Sequence, residues 1–253
     1  MEENKSTEKK KKKSVRRIAS DIIMVCLAAI VVISGWKVYT IMHNYKVNRD
    51  IYKKVNEVAQ PEGFTGDIDF DALHEINKDV VAWIYYEGTN IDYPIVQGSD
   101  NDYYLHITVD GNWAVGGTLF VDAVTEKPFE QFNTIVYGHH MQDGSMFGDI
   151  KKLKDPEYAA EHPQLELITP EGKYHLLICA FLNQPSDSEI YKTNYDEEDT
   201  EGKQGYIDMV NSLAAYTTDE KMKPDDKLVI LSTCAYEYQN ARYMVVCKMT
   251  PWE

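Results

Sequence analysis

From residue 80 to the C-terminus, short runs rich in Val, Ile, Leu, Tyr and Phe alternate with Gly, Pro, Asn or Asp. This restricts the chain to an architecture of many short strands. The runs are Val80–Tyr86, Ile91–Val96, Val115–Val121, Thr134–Tyr137, Leu165–Thr169, Lys173–Leu182, Lys227–Thr233 and Arg242–Met249. A doubly wound sheet would need helical segments in regular alternation with these strands, and they are missing. About eight strands with few long helices fit an all-β fold with added helices, closed or nearly closed into a barrel, which removes exposed sheet edges. With 253 residues and 43% hydrophobic content, the chain can bury one substantial core, so a single folded domain is expected.

One connection breaks the rhythm. The stretch 183–226 is too long for a plain loop and should hold structure of its own. Within Gly202–Tyr216 the residues Tyr206, Met209, Val210, Leu213 and Ala214 recur at helical spacing, so a helix is expected there, either as a wall of a binding groove or as a cap on the barrel. Upstream, Val47, Ile51, Val55 and Val58 form a helical stripe within 41–58. Pro61, Gly63 and Gly66 then mark a turn, and a short helix over about 69–78 presents Phe70, Leu73 and Ile76.

The N-terminus is of another kind. Lys9 to Lys13, Arg16 and Arg17 precede an apolar run from Ile22 to Trp36, continued past Lys37 to Met42. The uninterrupted part is short for a membrane span of about 20 residues, but Lys37 can snorkel and the apolar tail extends it. No small-x-small cleavage site follows, so an uncleaved anchor is expected in preference to a removed signal peptide. The positive-inside rule then places everything past residue 43 outside the cytoplasm. This gives a basic cytoplasmic tail at 1–17, a transmembrane signal anchor at 18–42, a juxtamembrane helix and linker at 43–66, and the folded domain at 67–253. Residues 1–42 carry nine Lys/Arg against four Asp/Glu, leaving 17 against 37 downstream. So acidic a remainder argues against nucleic acid as a ligand.

None of the four cysteines forms a CxxC pair, so a metal or redox motif is not indicated. Cys26 lies in the apolar run; Cys179 and Cys247 lie in strand-like runs, with pairing between them left open. Cys234 ends a strand in Leu231-Ser-Thr-Cys-Ala-Tyr-Glu237, and Arg242 opens the next strand. A second strand delivers His139 and His140 in Asn133-Thr-Ile-Val-Tyr-Gly-His-His140. A thiol becomes a good nucleophile only when ionised, for which a nearby imidazole or positive charge suffices. A guanidinium supplies fixed donors to a developing oxyanion. Taken singly, each of the three residues has an ordinary structural explanation, and a Cys and a His in one sequence are not enough to define a site.

A resemblance adds what spacing cannot. The segments Trp83-Ile84, Gly88-Thr-Asn-Ile-Asp-Tyr-Pro-Ile-Val-Gln97, Asp100-Asn-Asp-Tyr-Tyr-Leu105, Gly117-Thr-Leu-Phe-Val-Asp122, Tyr137-Gly-His-His140 with Met146-Phe147, and Leu231-Ser-Thr-Cys234 resemble, in order, signatures of class B sortases. The likeness runs from about residue 70 to the C-terminus. It implies a closed eight-stranded sortase-type β-barrel with N-terminal helices and a helix in the long insert before the cysteine strand. It also implies His139, Cys234 and Arg242 as catalytic residues, with His140 in a lesser role, and Asn101, Leu105, Tyr137 and Ser232 as substrate-groove residues. The sequence departs from the family pattern at Ile230, where the motif usually begins with Thr, and the departure bears on packing or substrate fit.

The implied activity is transpeptidation at the membrane surface. A sorting motif near the C-terminus of a secreted protein is cleaved through a thioester on Cys234, and the acyl group passes to a peptidoglycan amine. No metal or other cofactor is required by this chemistry, and the acidic run Asp196–Asp199 reads as a solvated face rather than a calcium site. Two alternatives stand beside this reading. One is a pilin-polymerising sortase with a Lys side chain as acceptor, disfavoured because no lid segment with an inhibitory aromatic precedes the domain. The other is a non-catalytic, wall-associated binding module.

Overall fold

The computed structural model describes residues 2–252, with side chains from residue 20 onward, so the side chains of the basic tail at 1–17 lie outside the described residues. The chain divides into two compact units, Met1–Lys46 and Val47–Glu253. The first belongs to a single long helix, α1 (Glu2–Ala59), whose apolar residues from Ile22 to Met42 are exposed. By length and composition this is a helix able to cross a membrane.

The second unit is built on nine strands: β1 (Val80–Tyr85), β2 (Asp92–Val96), β3 (Leu119–Val121), β4 (Asn133–Tyr137), β5 (Gln164–Thr169), β6 (Gly172–Pro185), β7 (Tyr216–Thr217), β8 (Lys227–Cys234) and β9 (Ala241–Pro251). They run in the order β5-β1-β2-β3-β4-β8-β9-β6, and β5 pairs with β6 to close eight of them into a barrel. The ninth, β7, adds to the outer part of β6. The closure pairs Gln164–Thr169 with Gly172–Leu177, so the strands that would end an open sheet, β5 and this part of β6, are left with no free edge.

The structure departs from the sequence expectations in three places. The strand expected from Val115 begins only at Leu119, because Gly117 takes φ +53° in a turn against the 104–105 backbone. The insert helix, α4, spans Thr200–Leu213 rather than running to Tyr216, which sits in β7. Asp199 caps its start by accepting from Gly202 N at 2.8 Å, which explains the end of the acidic run. The buried stripe of α1 in the second unit is Asn48, Tyr52, Val55 and Ala59, while Val58 is exposed. Two polar side chains therefore face the barrel where an apolar stripe was expected, and both find hydrogen-bonding partners there. Two short helices frame the rest: α2 (Phe70–Ile76), capped by Asp69, and α3 (Pro156–Glu161), capped by Asp155 with Pro at its first position.

Helix α4 buries Tyr206, Ile207 and Val210 in a cluster with Phe132, Ile135, Ala180, Leu182, Ile230 and Val246. Each large apolar side chain of this kind contributes about 1.5–3 kcal/mol when fully buried. Tyr206 also donates to the Ile190 carbonyl at 2.9 Å, tying a 3₁₀ turn at Glu189–Tyr191 to the helix. Ile230 belongs to this core and is fully buried, so apolar packing occupies the position where the family pattern has a hydroxyl.

Candidate active site

Three adjacent strands bring the reactive groups together. In the parallel pair β4–β8, Tyr137 lies beside Ser232, and Gly138 N donates to Ser232 O at 3.1 Å, so His139 emerges next to the end of β8. In the antiparallel pair β8–β9, Cys234 lies directly opposite Arg242, so both side chains leave the same face. Gly138 permits the approach, because a Cβ there would collide with Leu119 and Phe147.

All seven residues expected at the site, His139, Cys234, Arg242, Asn101, Leu105, Tyr137 and Ser232, line one cavity of about 210 Å³. Cys234 is a free, half-buried thiol. The guanidinium of Arg242 donates from Nη1 to its neighbour's carbonyl, Ala241 O, at 3.0 Å, and among the described residues it forms no ion pair. A fixed positive charge is thus left for whatever enters the cavity.

His139 Nε2 lies 2.8 Å from the Leu105 carbonyl. A carbonyl only accepts, so Nε2 carries a proton and Nδ1 is the nitrogen that gains or loses one. Burial pushes this imidazole below its ordinary range; the Leu105 bond opposes that push, and the adjacent His106 adds to it. The His106 ring stacks on it at 5.5 Å and 18°. His140 acts differently. Its Nδ1 lies 2.7 Å from the Cys234 carbonyl and, facing an acceptor, must donate. Its ring sits between Tyr236 and Tyr243, so it pins the backbone of the thiol rather than facing the cavity.

The expected groove residues form two linked networks. Asp122 accepts from Tyr137 at 2.7 Å and from Asn101 Nδ2 at 3.1 Å, while Asn101 Oδ1 accepts from Ala123 N. Tyr191 stacks on Tyr137 at 5.9 Å and shares a 2.8 Å hydrogen bond with Ser232. Burial pushes the Tyr191 phenol up to about 12, with the Ser232 bond and Arg242 pulling back, so it remains a neutral hydroxyl. Tyr191 and Ser186 also line the cavity, and nothing in the sequence singles them out. They lie in the first half of the 183–226 insert, whose only visible signal was the helix. The insert does form part of the cavity wall, but through the 189–191 turn, with α4 as its support. Cys179 and Cys247, whose pairing was open, are both free and buried; burial raises the former thiol to about 11 and also holds the latter well above the ordinary thiol range.

A thiol, an imidazole and a guanidinium line one small cavity of the closed barrel, and these are the groups that acyl transfer through a cysteine calls for. A sortase-domain family profile matches residues 84–250, and the chain belongs to the sortase family of cysteine transpeptidases. Its relatives narrow the assignment to class B. Sortase B of Listeria monocytogenes is 32% identical over 224 residues, covering 85% of this chain and 90% of the relative. The crystal structure of sortase B from Bacillus anthracis superposes with a TM-score of 0.74 at 30% identity, covering 83% of this chain and all of that one. A Staphylococcus aureus sortase B–substrate complex does so with a TM-score of 0.74 at 27% identity, with the same coverage of this chain. Membership of this enzyme family supports the transpeptidase over the non-catalytic binding module.

Proposed function

We propose that Cys234 is the nucleophile, His139 the acid/base and Arg242 the oxyanion stabiliser of a membrane-anchored transpeptidase. The observation that carries this is the strand register: Cys234 stands opposite Arg242 on β8–β9, with His139 lining the same cavity. The sulfur, as thiolate, attacks the backbone carbonyl of a Thr in a sorting motif, and the oxyanion forms beside the guanidinium. The imidazolium gives its proton to the departing amine as the C–N bond breaks, leaving a thioester. An acceptor amine then attacks that thioester and passes a proton back to His139, and the C–S bond breaks to restore the thiolate. Asn101, Leu105, Tyr137 and Ser232 shape the groove for the motif.

The exposed apolar segment of α1 is the anchor, with residues 18–42 in the membrane, the basic tail inside and the barrel outside the cytoplasm. Anchoring holds a secreted substrate and a peptidoglycan amine near the same surface, which raises their effective concentration. Incubation with a library of Thr-containing pentapeptides, followed by mass spectrometry of enzyme and products, tests the proposal. The wild type should accumulate an acyl adduct on Cys234 that amines resolve, and the Cys234→Ala chain should form none. Full transpeptidation by Cys234→Ala would end it.

A further inference from the structure

The part of α1 that packs on the barrel touches both segments that hold His139. Asn48 and Tyr52, four residues apart on one helical face, are 1% and 3% exposed. Tyr52 donates to the Gly117 carbonyl at 2.6 Å and lies 3.0 Å from Thr118 Oγ1. Thr118 in turn donates from its hydroxyl to Ile107 O at 2.8 Å and from its backbone to Tyr104 O at 3.0 Å. These bonds bracket Leu105, whose carbonyl takes Nε2 of His139. Gly117 packs so closely on that carbonyl that a Cβ would overlap it.

The second contact reaches His139 from its other side. Asn48 Nδ2 lies 3.6 Å from Met146 Sδ, and Met146 is fully buried and bridges to His140. The next residue, Phe147, donates from its backbone to His139 O at 3.0 Å. The Tyr52 ring meets Tyr93 edge-on at 5.0 Å, and the Tyr93 hydroxyl accepts from Met146 N. By contrast, Asn56 and Gln60 donate to Asp92, which also accepts from Trp83. Those bonds fix the helix on the barrel, but neither runs to the segments around His139.

Apolar residues could seal a helix against a barrel with less desolvation; what buried polar groups add is direction. Displacements of about 1 Å in a catalytic group can cost 10²-fold in rate, so a restraint on the Leu105 carbonyl matters out of proportion to its energy. We propose that Tyr52, assisted by Asn48, is a positioning residue for His139, holding the Leu105 carbonyl through Gly117 and Thr118, so that the juxtamembrane helix is a working part of the active site. The inference rests on the reading of His139 as the acid/base.

The test uses the full-length chain in detergent and the fluorogenic Thr-containing pentapeptide that wild type cleaves fastest. Tyr52→Phe keeps the ring and removes the donor; Thr118→Val breaks the same relay from the barrel side, leaving every helix residue in place. Both should lower kcat by roughly tenfold with KM unchanged, within the range for small misplacements. Both should also shift the pH dependence of Cys234 alkylation by iodoacetamide. The double variant Asn56→Ala/Gln60→Ala should lower the melting temperature and leave kcat as it was. The inference is overturned if Tyr52→Phe and Thr118→Val keep wild-type kcat, or if kcat falls in the Asn56/Gln60 variant in step with stability. A His139→Ala chain that still cleaves the peptide overturns the acid/base reading instead, whereas an inactive His139→Ala beside a fully active Tyr52→Phe overturns this inference alone.

Discussion

Replacing Gly138 by Ala asks whether the end of β4 is locked where His139 needs it. The new methyl would lie 2.6 Å from Phe147 Cδ2 and closer still to Leu119. Carbon atoms in comfortable contact sit about 3.5–4 Å apart, so roughly 1 Å of movement is required. Leu119 and Phe147 are both fully buried, so neither can swing into solvent. Overpacking of this kind costs about 1–3 kcal/mol. For a unit of this size that lowers the melting temperature by about 2–4 °C per kcal/mol. The other way out is for the backbone to move, which strains the Gly138 N to Ser232 O bond and carries His139 away from the end of β8. A shift near 1 Å costs up to about 10²-fold in rate. Thermal denaturation and peptide cleavage should therefore both respond, with kcat falling more than KM rises. A Gly138→Ala enzyme with wild-type melting temperature and kcat would refute the argument that close packing fixes this strand end.

Arg242→Lys keeps the charge but loses the planar fork; kcat/KM should fall by about 10²-fold, the loss typical of an oxyanion donor, while stability holds because no ion pair is broken. Cleavage kinetics and melting curves check this together. His139 has a folded pKa below its unfolded value, so the unfolded chain binds more protons and the His139 contribution to stability is lost as pH falls from the ordinary histidine range through the depressed folded value. His139→Gln should flatten that part of the stability profile between about pH 7 and 5, the range where histidine ordinarily titrates, as measured by denaturant titration. Iodoacetamide on the native chain should modify Cys234 and spare Cys179 and Cys247, whose thiols burial holds in the protonated form; peptide mass spectrometry reads the outcome, and labelling of the buried pair at a comparable rate would contradict it.

Strand runs separated by turn residues were enough to set the architecture, because a two-residue side-chain period and a lack of helical spacers are local properties. The apolar N-terminal segment was legible for the same reason. His139, Cys234 and Arg242 stood out only through motif resemblance, since residues 95 and 103 positions apart in sequence reveal nothing of their distance until β4, β8 and β9 are known to be neighbours. Tyr191 and His106 were not legible, because a stacked ring or a hydroxyl pair has no sequence signature. The polar face of α1 was hidden behind a plausible apolar stripe. A helix periodicity reports which residues share a side, but only the barrel decides which side is buried, and it covers Asn48 and Tyr52, whose amide nitrogen and hydroxyl meet partners in the segments around His139. Local pattern thus determined the elements, while the convergence of groups from distant strands belongs to the closed sheet, whose register no single segment encodes.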